Sequence, residues 1–153
     1  RCMSDADAVQ YVNWLRNPEV AALVGVKRVP TVEERMEQLR AFNLSPKDLV
    51  LGIETRRESK LIGTIALRDI DWARRLAEAA VFIGEKTEWD KGYGTEAMKL
   101  LLEIGFKKLN LRRIQLRADP SNLRARHVFK KVGFVEEGIS EGFMVMVKDE
   151  GTE

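Results

Sequence analysis

The hydrophobic period switches between helix and strand along the chain, and the switches divide it. Ala8, Val9, Tyr11, Val12, Trp14 and Leu15 follow a helical stripe, with N-cap candidates in Ser4-Asp5-Ala6-Asp7. Asn17-Pro18 ends that helix, because the residue before proline is pushed out of the α region. Glu19 to Val29 reads as a connection with room for a short helical turn. Thr31-Val32-Glu33-Glu34 has the form of a capping box and opens a helix through about Phe42, with Met36, Leu39 and Phe42 inward. Ser45-Pro46 breaks it. The pattern then turns to strands: Leu49–Thr55 and Leu61–Leu67 form a hairpin about the polar turn Arg56–Lys60, and a polar link from Arg68 to Arg75 leads to a third run, Leu76–Gly84. These short links predict an antiparallel meander. A broad apolar face from Tyr93 to Leu109 predicts a helix buried against the sheet. Arg113–Asp119 alternates as a half-buried strand. Pro120-Ser121-Asn122 opens a helix carrying Ala125, Val128 and Phe129 inward, with Gly133 past its end. Phe134–Ile139 and Phe143–Val147 close the chain as a hairpin about Ser140-Glu141-Gly142. Nothing repeats internally.

Composition narrows the function classes. The 153 residues amount to one domain, with a net charge of +2 from 26 basic and 24 acidic residues interleaved in sign. A nucleic-acid partner would need a clustered basic face, so none is expected. Cys2 is the only cysteine and His127 the only histidine, which argues against a disulfide and a built-in zinc site and favours a reduced compartment. No apolar run has the length of a membrane span, so a soluble cytoplasmic protein is expected. The chain opens on Arg1-Cys2-Met3, so a trimmed first strand is expected.

The stretch Trp89-Asp90-Lys91-Gly92-Tyr93-Gly94-Thr95-Glu96-Ala97 lies between an apolar strand and a long helix. Gly92 and Gly94 permit a sharp turn and a close backbone approach. The first helical amides have no intrahelical partner, and the helix dipole adds positive charge there, so the loop suits a phosphate or pyrophosphate. By itself the glycine pair fits a plain helix cap equally well. The match of Gly92-x-Gly94-x-x-Ala97 to a dinucleotide-binding turn fails on context, since it follows a meander mid-chain.

Gly92–Ala97, followed by Asp119-x-x-Asn122-x-x-Ala125-x-x-x-Phe129-Lys130-Lys131-Val132-Gly133-Phe134, resembles the GNAT acetyltransferases. The blocks Asn17-Pro18-Glu19-Val20, Leu67-x-Asp69-Ile70-Asp71, Ala77-Glu78 and Glu88–Ala97 are similar to the RimJ/RimL-like branch, named for ribosomal-protein N-terminal acetyltransferases. The resemblance covers about Arg1 to Val147. It implies an α+β fold: a mixed, mostly antiparallel sheet of about six to seven strands, flanked by about four helices and splayed between two central strands. Acetyl-CoA would sit in that splay, between the strand ending at Gly84 and the strand Arg113–Asp119. Backbone groups of Phe82, Ile83 and Gly84 would pair with its pantetheine arm, and the amides of Trp89, Asp90, Lys91, Gly92, Tyr93, Gly94 and Thr95 would hold its pyrophosphate. Asn122 would reach the pantetheine, with Ala125, Arg126 and Phe129 nearby. No metal is implied.

Transfer of an acetyl group to an amine needs a base and an oxyanion donor. Glu78 is the candidate base, since in the histone-acetylating branch a glutamate occupies the matching place; a strand-edge charge facing solvent or pairing with Arg74 or Arg75 is the other reading. A backbone N–H near Phe82 or Ile83 is the candidate donor. Asp69 and Asp71 read as turn residues that could attract a cationic acceptor, His127 as a surface residue, and Trp72 and Trp89 as packing groups. Three positions depart from the pattern. Phe129 stands where many members have an acid Tyr, Asp90 stands where the branch often has Gly, and the Gly138–Gly142 segment is short. The acceptor could be a protein N-terminus, an amino sugar, a polyamine or an amino acid; dimerisation through the last hairpin is a further expectation. Phe129 also leaves open a non-catalytic acyl-CoA-binding module.

Overall fold

The computed structural model describes residues 1–152. Three helices come first: α1 (Asp7–Leu15), α2 (Pro18–Val24) and α3 (Val32–Leu44). The expected connection after Pro18 is itself helical, because the Asn17 side chain accepts from the Glu19 amide and Pro18 sits at the first helical position. Thr31 and Glu34 form the expected capping box of α3. The Ser4–Asp7 segment caps differently from the expectation. No side chain caps α1, and Asp7 instead accepts from the Ser4 amide and from Arg1.

The strands are β1 (Leu49–Glu54), β2 (Leu61–Asp71), β3 (Leu76–Ile83), β4 (Arg113–Ala118), β5 (Val135–Ser140) and β6 (Phe143–Asp149), with α4 (Tyr93–Glu103) before β4 and α5 (Leu123–Lys131) after it. They form one sheet in the order β1-β2-β3-β4-β6-β5, in which only β3 and β4 run parallel. The expected polar link begins later than its charges suggest. β2 continues through Arg68 to Asp71, with Asp69 at φ 51° and Ile70 buried behind it. The bulge turns two consecutive polar residues outward without ending the strand. α4 passes into a π-helical turn, Ile104–Lys108. Gly105 lies there against the Ile114 side chain, where an added Cβ would come within 2.7 Å.

Helices cover the two faces unequally. The main core joins α4 to the inward row Ala77, Ala79, Ile114 and Leu116. The second core, Tyr11, Trp14, Leu15, Val20 and Leu39, packs with Phe82 on the other face. That face is left partly open beyond Ala80, which is exposed.

Candidate active site

The parallel ladder between β3 and β4 is short: Leu76, Ala77 and Glu78 pair with Arg113, Ile114 and Gln115, and pairing then stops. Beyond Glu78 the strands part, as the expected splay requires. The antiparallel register decides which backbone groups line the gap. Gly84 N–H donates to Ile62 O on β2 at 2.8 Å, which makes Thr64–Phe82 and Ala66–Ala80 the pairs facing β2. Alternation turns the backbone of Val81 and Ile83 into the gap. Phe82, expected to pair with a ligand arm, therefore turns its backbone to β2, and the Gly84 N–H does the same. Gly84 is also a packing residue, since an added Cβ would lie 2.1 Å from Trp14 Cδ2.

The loop after β3 is tied at both ends and open in the middle. The Trp89 indole N–H donates to Ile83 O at 2.8 Å, so this tryptophan fastens the loop to the strand edge. Asp90 adopts φ 66° and its carboxylate meets Arg124 of α5 at 2.8 Å. The acid thus reaches across to α5 and is paired there. Lys91 reaches Glu88 at 3.2 Å, and Gly92 (φ 84°) carries the chain into α4. Among the described residues the amides of Asp90, Lys91, Gly92, Tyr93, Gly94 and Thr95 donate to no protein group. Among the described residues no carboxylate accepts from them, and an anion is the natural partner for such a nest.

α5 closes the far side. Asn122 Oδ1 caps the helix by accepting from Ala125 N–H at 3.1 Å, and its amide nitrogen has no protein partner among the described residues. Ala125 and Phe129 are half-buried, and the Phe129 ring meets Phe134 edge-on at 6.1 Å. Arg126 turns the other way, forking onto Glu136 at 2.8 and 3.0 Å and donating to Pro120 O. That arginine braces α5 against β5, and the fork holds the Glu136 carboxyl below its ordinary range.

On the open face, Glu78 stands at the last paired position before the gap. Its Oε1 accepts from Arg117 Nε at 2.7 Å, not from Arg74 or Arg75. Arg74 turns to Asp71, and Arg75 donates to Asn110 O. Arg117 was not singled out from the sequence; the alternation of Arg113, Gln115 and Arg117 was the available signal, but the β3–β4 register was needed to pair it. A cavity of about 200 Å³ beside Glu78 is lined by Asp69, Asp71, Leu76, Ala77, Arg113 and Gln115. His127 is exposed. Trp72, expected to pack, is 48% exposed and donates to Pro46 O.

The model of an acetyltransferase (GNAT) domain matches residues 1–135. The chain belongs to the GNAT acetyltransferase family. This acetyltransferase is 28% identical over 141 residues to an uncharacterized N-acetyltransferase, p20, of Bacillus licheniformis, covering 90% of this chain and 77% of that one. It is 35% identical over 117 residues to a probable N-acetyltransferase, YjcK, of Bacillus subtilis, covering 74% of this chain and 59% of the relative. The structure of spermidine N-acetyltransferase from Vibrio cholerae, in complex with CoA and spermine, superposes with a TM-score of 0.88 at 22% identity, over 99% of this chain and 95% of that one. The GNAT chain is accordingly an N-acetyltransferase with the mixed α+β sheet expected of the family.

Proposed function

We propose that the chain, acting as one GNAT domain of the RimJ/RimL-like branch, transfers the acetyl group of acetyl-CoA to a primary amine. The nest of free amides from Asp90 to Thr95 carries this reading. It offers donors and a helix N-terminus to the pyrophosphate, while the backbone of Val81 and the N–H of Ile83, whose carbonyl is held by the Trp89 indole, offer strand-like pairing to the pantetheine. The Asn122 amide nitrogen adds a donor from α5. CoA is bound in the Vibrio cholerae structure, whose fold this chain shares.

The amine attacks the thioester carbonyl; a C–N bond forms, the C–S bond breaks, and sulfur leaves as thiolate. Glu78 lies at the mouth of the gap and takes the amine proton, directly or through a water. The N–H of Val81 or Ile83, turned towards the gap, is the donor in this reading to the carbonyl oxygen as charge gathers there. With Phe129 on α5 in place of a phenol, the thiolate departs unassisted, as the modest pKa of a thiol permits.

Two measurements test this. Acetyl-CoA at 100 times its Kd should stabilise the protein by about 2.7 kcal/mol; no thermal shift would remove the donor assignment. Glu78→Gln should lower kcat by about 100-fold while keeping the acetyl-CoA thermal shift. Undiminished turnover in that variant would exclude Glu78 as the base.

A further inference from the structure

Arg35 is a charged side chain with nothing to neutralise it. It projects from the first turns of α3 into the second core and is only 6% exposed. Its guanidinium carbon lies 3.7 Å over the Tyr11 ring and Nη1 donates to Gln38 at 3.2 Å, but Nε is buried without an acceptor. Among the described residues no carboxylate lies within salt-bridge distance. Burial of an unpaired guanidinium is among the costlier arrangements in a fold. Burial drives its pKa down, and the like charge of nearby Arg68 acts in the same direction.

Arg68 is the second unpaired cation. It is cross-strand to Glu78 on the open face, yet Glu78 is held by Arg117, and Arg68 rests over the Phe42 ring at 5.2 Å. Between the two arginines the sheet carries small residues. The row runs Thr64–Phe82, Ala66–Ala80, Arg68–Glu78, so two alanines form a floor between the Phe82–Tyr11 wall and the Arg68–Glu78 wall. Ala80 is exposed there.

We propose that the acceptor is a small primary amine that also carries a carboxylate or phosphate, with its anionic end held between Arg35 and Arg68 and its amine beside Glu78. This rests on the acetyl-transfer reading above. An anion there brings a counter-charge to Arg35, which has none in the fold, and offsets the like charge of Arg68. A polycation would meet that repulsion at one end of the floor and could satisfy neither guanidinium.

The test follows thiol release from acetyl-CoA with matched amines: phenylalanine against phenylalaninamide, glucosamine 6-phosphate against glucosamine, and spermidine alone. The anionic member of at least one pair should show kcat/KM at least tenfold above its neutral partner and above spermidine. The pair that responds distinguishes carboxylate from phosphate. Arg68→Gln changes an exposed side chain and leaves the core intact; it should abolish the preference, lowering only the anionic substrate. Arg35→Gln should do the same where its acetyl-CoA thermal shift shows the fold retained. Equal turnover of neutral and anionic amines, better turnover of spermidine, or a uniform loss in Arg68→Gln would overturn the proposal while leaving the transferase standing. No thiol release with any amine would remove both.

Discussion

Gly84 shows how one residue can hold two parts of the molecule in register. Its amide closes the β2 ladder, and its missing Cβ leaves room for the Trp14 ring. That indole in turn donates to Glu85 at 2.7 Å, so α1 is anchored where β3 gives way to the loop. Gly84→Ala should destabilise the fold by about 1–3 kcal/mol, the usual range for overpacking, read as a lower urea midpoint at unchanged m-value. Combining it with Trp14→Leu should give less than the sum of the single losses, because the second change removes the clashing ring.

Among the elements, the loop and α4 carry the proposed donor site, and their two glycines differ. Gly92 needs φ 84°, whereas Gly94 lies inside the first turn of α4, where an added Cβ would meet nothing within 4 Å. Gly94→Ala should therefore raise stability, by up to about 1 kcal/mol from helix propensity. The same Cβ stands beside the amide nest and should weaken acetyl-CoA binding, read by calorimetry. A variant that gains stability and keeps full affinity would separate Gly94 from the cradle. Most of these elements were legible in the hydrophobic period, and the Asn122 and Gly92–Ala97 blocks located the two sides of the gap. The α2 helix was hidden because Asn17-Pro18 serves as a stop for one helix and a start for the next. The end of β2 was hidden because Arg68-Asp69 looks like a turn, while Ile70 behind the bulge keeps the strand in the core. Arg35 was hidden for a different reason: a charge on the inward stripe of a helix violates the pattern by which inward stripes are found.

For the whole molecule, several carboxylates link distant parts of the chain and give it an acid limit. Hydrogen bonds from Arg113 hold Asp149 below its ordinary 3.8, those from Arg1 do the same for Asp7, and those from Arg126 hold Glu136 below its ordinary 4.5. A carboxyl whose folded pKa is depressed contributes stability above its unfolded value and loses it as pH falls through the folded one. The melting temperature should therefore change little through these groups between pH 7 and 5 and fall progressively below about pH 4. Asp149→Asn should reduce the acid-side loss relative to neutral pH. An acid limb unchanged in that variant would assign the loss to other groups.

The bond from the Trp89 indole to Ile83 O gives the protein an optical signal of its own. Of its three tryptophans, Trp14 lies in the second core, Trp72 stands at the opposite end of β3, and Trp89 alone borders both the amide nest and the strand edge of the gap. A change in tryptophan emission on adding acetyl-CoA, lost in Trp89→Phe, would therefore follow occupancy of the proposed donor site in the unlabelled chain.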